Sequence, residues 1–377
     1  MVRASLLSGA LVVVAACGTS NTPPISKSPD TLDEAARRLM QQAHVQGLAL
    51  AVIENGQVAH VAAYGFRNTA NQLPLETDTV MYGASLTKTA FAYTVLQLVD
   101  EGKLRLDDSI ADLLPKPLPE YENFTDLAGD DRWRALTPRI LLTHTSGLAN
   151  FRWLENDEKL RFHHTPGTRY GYSGEGFYIL QLVVEERLGV ETGKEMQARV
   201  FDRFGMSRTS MTWRPDFAGN LADGYDVDGK MAAHDQRSRA RAAGSMDTTI
   251  ADQARLWAGI VRGDGLSAAS RAELVRPSKP ITSAHQFPTL NTDTDPRNAE
   301  IELAAGLGVV TFRDTTGRAF FKGGHNDTTG NMLLCLETGK RCVVMLSNDV
   351  RAERIYPELA KAALGETRMP WRWEYNP

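Results

Sequence analysis

The sequence predicts an α/β protein of the α+β sandwich kind. It would have an antiparallel sheet formed by the N- and C-terminal parts of the chain, flanked by helices, with a mostly helical lobe inserted at about 107–241. Three observations predict it. Strand-like runs crowd the two ends, the middle reads as short helices broken by Pro, Gly and Asp clusters, and no period of 20–50 residues recurs. A chain of 377 residues, 42% hydrophobic and 23% charged, has ample core, and its composition excludes disorder, collagen and coiled coil. Forty-two basic residues against 46 acidic ones, with no Lys/Arg cluster, leave no nucleic-acid footprint.

Each element has a local reason. Thr31-Leu-Asp-Glu34 reads as a capping box, opening a helix with Leu32, Ala35, Leu39, Met40 and Ala43 on one face. Leu48 to Glu54 and Gln57 to Tyr64 are apolar strands joined by Asn55-Gly56, a strong hairpin signal. After Ser85 the apolar spacing of Ala92, Val95, Leu96 and Val99 is helical, and Gly102 supplies a stop. Further helices are expected from Phe177 to Leu188, Thr249 to Val261 and Arg351 to Leu364, with Met206 and Met246 as core. Strands are expected at Leu303 to Phe312, Arg318 to Lys322 and Asn331 to Ser347.

The first sixteen residues read as an export signal. Arg3 precedes an apolar run from Leu6 to Ala16, which is shorter than the ~20 residues a spanning helix needs. Val14-Ala-Ala-Cys17-Gly18 resembles the lipobox of bacterial lipoproteins, so Cys17 is the expected lipidated N-terminus of a periplasmic, membrane-anchored protein. Residues 17–30, rich in Ser, Thr and Pro, read as a flexible tether, and residues 31–377 as the folded domain. Cys335 and Cys342 flank Thr338-Gly339 symmetrically. A hairpin turning there would oppose them, and an oxidising compartment would let them bond; two buried free thiols are the alternative.

Several chemistries are missing. No complete G-x-S-x-G, P-loop or strand-borne G-x-G-x-x-G occurs. His163-His164 is the only histidine pair and lacks zinc-site spacing, so it reads as solvated surface; no metal or cofactor is expected. What remains is Ser85-Leu-Thr-Lys88. A serine followed three places on by a lysine is weak alone, but this one follows the Gly83-Ala84 turn and opens a helix. Ser Oγ and Lys Nζ then lie one turn apart on one face.

In that context the chain resembles the serine β-lactamase and penicillin-binding-protein superfamily. The resemblance is to its class C-related branch, which includes D,D-peptidases and family VIII esterases. It runs from about Leu32 to Leu364, and five segments arrive in the family's order. These are Thr79-Val-Met-Tyr-Gly-Ala-Ser-Leu-Thr-Lys88, Leu141-Leu-Thr-His-Thr-Ser-Gly-Leu148, Pro166-Gly-Thr-Arg-Tyr-Gly-Tyr-Ser173, Ala243-Gly-Ser-Met-Asp-Thr-Thr249 and Lys322-Gly-Gly324. The resemblance implies a β-lactamase/transpeptidase-like fold and a hydrolase that forms an acyl-serine. Ser85 resembles its nucleophile, Lys88 and Tyr172 the proton-handling pair, and Lys322, Gly323 and Gly324 the substrate-side strand. The backbone N–H groups of Ser85 and His325 would receive the oxyanion, and His144 would be structural.

Elementary electrostatics agrees. A tyrosine can act as base only if its pKa falls from about 10 toward 7, roughly 4 kcal/mol. Two ammonium groups at ~4 Å supply that order of energy at an effective dielectric near 20. One departure stands out: the family's Tyr-x-Asn ends here in Gly174, which removes a side chain associated with gripping the substrate's amide. Lys322 keeps a cation that many esterase members replace, which favours a carboxylate-bearing substrate or a retained electrostatic role. The expected substrates are small esters, β-lactams or D-peptides. An anchored, weakly catalytic binder of penicillin or peptidoglycan peptides, or a true class C-like β-lactamase, are the alternatives.

Overall fold

A computed structural model describes residues 31–375 together with Met1; the expected signal beyond Met1, the whole of the expected tether and Cys17 lie outside the described residues. The first hairpin is fixed by its turn. Asn55 and Gly56 both sit at positive φ, 53° and 73°, as a tight two-residue turn requires. They join Gly47–Glu54 (β1) to Gln57–Asn68 (β2). Seven more strands complete the sheet in chain order: Leu73–Pro74 (β3), Lys279–Pro280 (β4), Ala304–Ala305 (β5), Val310–Asp314 (β6), Gly317–Asn326 (β7), Thr329–Leu336 (β8) and Arg341–Ser347 (β9). The spatial order is β3-β2-β1-β9-β8-β7-β6-β5-β4, with every neighbour antiparallel. The two chain ends meet at the β1–β9 seam, where Leu48 opposes Ser347 and Ile53 opposes Cys342.

Six helices supply the two cores: Leu32–Ala43 (α1), Leu86–Asp100 (α2), Gly174–Leu188 (α3), Ile250–Arg262 (α4), Tyr356–Leu364 (α5) and Trp371–Tyr375 (α6). The capping box at Thr31 and Glu34 is formed as the sequence predicts. Side chains alternate across the sheet. Phe320, Leu333 and Val344 join one core with Phe91, Phe177 and Trp257, while Phe321, Leu334 and Met345 join a second with Leu39, Leu359 and Trp373. Helix α2 is buried all round from Leu86 to Leu98, so it runs through the first core rather than over it.

Two elements differ from expectation, the 303–312 run and the closing helix, and the hairpin between them takes the form expected. The strand expected at Leu303 to Phe312 is two strands, interrupted where Gly308 turns at φ 72°. Asn331 to Ser347 is a hairpin whose connection, Thr338–Lys340, is a short 3-10 turn. The closing helix begins as 3-10 over Val350–Ile355 and becomes α-helical only from Tyr356, because Pro357 cannot donate and so belongs in a first turn. Between α2 and α4 the chain makes short turns of helix such as Ile110–Leu113, Pro138–Leu142 and Thr192–Met196 around the longer α3. Cys335 and Cys342 are opposed across β8 and β9 and joined, with sulfurs 1.99 Å apart.

Candidate active site

Ser85 stands at the entrance of α2, preceded by Ala84 in the left-handed region at φ 45°. A non-glycine residue there is strained by about 1 kcal/mol or more and persists only where its surroundings enforce it. Those surroundings are the 243–249 segment. Its Asp247-Thr248 pairs with Met81-Tyr82, Met246 O accepts from Gly83 N at 2.8 Å, and Thr87 Oγ1 accepts from Met246 N at 3.1 Å. The same segment presents Ala243 O to Lys88 Nζ at 2.5 Å.

Lys88 has no exposed surface, and its Nζ lies 3.0 Å from Ser85 Oγ. Burial pulls its pKa down to about 8, the positive charge of Lys322 adds to the fall, and Tyr172 opposes it. Tyr172 sits between the two lysines, with Lys88 Nζ 4.9 Å and Lys322 Nζ 4.8 Å from its ring centroid. Lys322 Nζ donates to the Tyr172 hydroxyl at 3.1 Å and to Gly323 O at 2.7 Å. Burial likewise lowers Lys322 to about 8, against the attraction of Glu374.

The Tyr172 ring is clamped. It stacks on His144 at 4.2 Å between centroids and meets Phe287 edge-on at 5.4 Å. His144 Nδ1 accepts from Ser173 N at 3.1 Å, and burial together with both lysines holds its pKa well below the imidazole range. A neutral ring pressed flat on Tyr172 positions the phenol, in line with the structural role expected of that segment. The Ser173 hydroxyl accepts from Gly176 N at 3.0 Å and so caps α3.

The substrate-side strand lies against the start of α2. A Cβ built on Gly324 would stand 3.0 Å from both Ser85 N and Leu86 N, a contact tight enough that glycine eases this approach. The Ser85 amide has no acceptor among the described residues, which leaves it available to an oxyanion. His325 lines the cleft next to Ser85. Burial depresses its imidazole, but Glu353, 3.0 Å from Nδ1, overcomes that and raises its pKa above the ordinary value. The expected residues 85, 88, 172, 322, 323, 324 and 325 therefore converge on one place. The His163-His164 pair does not: His163 pairs with Glu155 at 2.5 Å, apart from that site.

Sequence reasoning missed two features. Phe151 and Trp153 line the cleft beside Ser85, where Gly174 leaves room for the Phe151 ring. Glu374, on the last helix, sits beneath Gly323: a Cβ there would lie 1.8 Å from its Oε1. Phe151 lies three residues beyond the Leu141–Leu148 segment, a placement that could have flagged it; Glu374 carries no local signal.

The comparisons with known proteins bear on the family and the fold. A stretch of 187 residues is 33% identical to penicillin-binding protein 4 of Amycolatopsis lactamdurans, covering 46% of each chain. The chain thus spans about half the length of the curated relatives it matches. The fold superposes on a D-alanine carboxypeptidase from Burkholderia cenocepacia with a TM-score of 0.69 at 19% identity, covering 89% of this chain and 98% of that one. A class C β-lactamase gives the same score and identity over 89% and 96%. The family model described as Beta-lactamase matches residues 32–366, and the chain belongs to that family of the serine β-lactamase and penicillin-binding-protein superfamily.

Proposed function

We propose that the protein is a serine hydrolase that works through an acyl-Ser85 intermediate on esters or on D-peptide- and β-lactam-like amides. In this reading it is carboxylesterase-like or D,D-peptidase-like. One observation carries it: Ser85 Oγ lies 3.0 Å from Nζ of a fully buried lysine whose pKa burial brings to about 8, which puts a neutral amine able to accept a proton within reach near neutral pH. A hydroxyl needs such a neighbour to become a nucleophile. Ser85 Oγ attacks the carbonyl carbon as its proton passes to the Lys88–Tyr172 pair. The N–H groups of Ser85 and His325 receive the oxyanion. The proton then goes to the leaving oxygen or nitrogen, and water releases the acyl group by the reverse route. Lys322, 4% exposed and spent on Tyr172 and Gly323, acts on the phenol rather than on the substrate.

The test is covalent. A fluorophosphonate or a fluorescent penicillin should add one adduct mass to the purified protein. Ser85→Ala should abolish both the adduct and ester hydrolysis, with a loss on the order of 10⁶ in kcat if the group acts as a unit. An anchored binder of peptidoglycan peptides would bind without acylation, and retention of most activity by the variant would remove Ser85 from the mechanism.

We also infer that the chain is exported and anchored through Cys17, from the Val14–Gly18 segment. The Cys335–Cys342 bond supports an oxidising compartment. Cys17→Ala should move the protein from the membrane fraction to the soluble fraction; unchanged fractionation would count against the anchor.

A further inference from the structure

The cleft beside Ser85 has a volume of about 630 Å³ and adjoins a groove of about 390 Å³; Trp153, Tyr178, Arg239 and Arg241 line both. Its floor is aromatic. A Cβ on Gly174 would fall 2.3 Å from Phe151 Cε1 and 2.7 Å from Cζ, so the Phe151 ring occupies the space that a side chain at 174 would fill. That ring stacks on Trp153 with centroids 4.2 Å apart and planes within 8°. Trp153 is 51% exposed, unusual for so large an apolar surface. The stack is held in place from behind. Arg152, between the two aromatics, donates from Nε and Nη2 to the buried Glu175 carboxylate at 3.0 and 2.8 Å and from Nη1 to Asn123 O at 2.6 Å. A platform fixed before the ligand arrives loses little entropy on binding.

Part of the wall carries arginines, beside Asp235, Glu175 and Glu185 in the same lining. Of the arginines at 237, 239 and 241, Arg237 is committed to the buried Asp247 at 3.0 Å and to Asp235 at 3.4 Å. No carboxylate pairs with Arg239 or Arg241 among the described residues, and both line the passage from cleft to groove.

Resting on the hydrolase reading above, we propose that the acyl group carries a flat aromatic ring seated on the Phe151–Trp153 stack and an anionic substituent that reaches Arg239 and Arg241. The substrate class is an arylacyl ester or amide with a carboxylate remote from the scissile bond. Gly174 is then part of the specificity: it exchanges an amide contact for a ring contact.

The test compares 4-nitrophenyl esters of butyrate, phenylacetate and 4-carboxyphenylacetate with the full chain. Aromatic stacking predicts a phenylacetate-to-butyrate ratio in kcat/KM of about 3- to 10-fold. The remote carboxylate should add about 2- to 5-fold more, expressed in KM and eroded by salt. Trp153→Ala should collapse the ring ratio, and Arg239→Ala with Arg241→Ala the carboxylate ratio and its salt dependence. Adduct formation by a fluorophosphonate, measured in parallel, separates the two readings. Labelling of Ser85 with butyrate as the best ester overturns the substrate class and leaves the hydrolase. Absence of labelling overturns the hydrolase, and calorimetry with 4-carboxyphenylacetate and butyrate on the Ser85→Ala protein then decides the site. Tighter binding of the aromatic acid supports the platform, and equal or absent binding overturns it.

Discussion

Lys88 is a charge kept where folding would rather not have one. Its pKa falls from 10.5 to about 8 because the side chain is wholly buried. A folded pKa below the unfolded one means that stability is full above pH ~10.5 and is lost as pH falls through about 8. At pH 7 the penalty is roughly 3 kcal/mol, less whatever the bonds to Ser85 and Ala243 return. Lys88→Met, close in volume, should therefore abolish acylation while raising unfolding stability at pH 7 by about 1–3 kcal/mol, a gain that shrinks toward pH 10. Urea unfolding at several pH values reads this directly, and a variant less stable than the parent at pH 7 would contradict it. Gly174 works through space rather than charge. Gly174→Asn alone must push against the Phe151 ring and should cost about 1–3 kcal/mol of stability. Paired with Phe151→Ala it should raise the ratio of cephalosporin to p-nitrophenyl ester turnover by about 5- to 150-fold, the value of one substrate hydrogen bond. An unchanged ratio would mean that position 174 only shapes the site.

Between elements, the decisive contact is the edge of β7 on the first turn of α2. Gly324→Ala places a methyl group 3.0 Å from two backbone nitrogens, one of them the Ser85 amide, so the strand or the helix start must shift slightly. Displacing an oxyanion donor lowers kcat by about 10²–10³. We expect that loss with a little-changed fold, measurable as near-native circular dichroism beside slow acylation; full activity would show that the strand can retreat. This scale also marks what could be read from the chain. The capping box at Thr31, the Asn55-Gly56 turn, the Ser85–Lys88 spacing and the cysteines placed evenly about Thr338-Gly339 are local, and local geometry realises each of them. Tyr172 and Lys322 were legible only through the ordered motifs, since 150 residues separate them. The aromatic floor was hidden because Phe151 fills a space defined by an absent side chain on another helix. The break at Gly308 and the 3-10 start before Tyr356 were missed because apolar runs show burial, not where the ladder of hydrogen bonds is interrupted.

Across the whole molecule, both ends of the chain build the sheet, and the C-terminal end also returns to the site. After α5 the chain runs to Trp371–Tyr375, where Trp373 is buried in the second core and Glu374 lies beneath the strand that carries Lys322. A relay holds the carboxylate: Tyr170 OH donates to Gln286 Oε1 at 2.9 Å, and Gln286 Nε2 donates to Glu374 Oε2 at 2.7 Å. Burial pushes Glu374 up to about 7, against the pull of Lys322 and His325, with Glu353 raising it further. Glu374 is in turn the group that lifts Lys322 against its own burial. As pH rises through 7, Glu374 ionises and strengthens the ammonium that donates to Tyr172; above about 8 that ammonium is lost. Glu374→Gln keeps the shape and a partner for Gln286 but removes the charge. The Lys322 pKa should then fall further, and the alkaline limb of kcat/KM for a neutral ester should move toward acid by up to about one unit. Because Lys88, Tyr172 and Lys322 interact strongly, that limb belongs to the group and not to one residue. A carboxylate serving packing alone would lower the rate by one factor at every pH. Rate profiles from pH 6 to 9 on the parent and Glu374→Gln therefore separate the two roles: superimposable limbs assign Glu374 to packing, and a displaced limb makes the C-terminal helix part of the proton machinery.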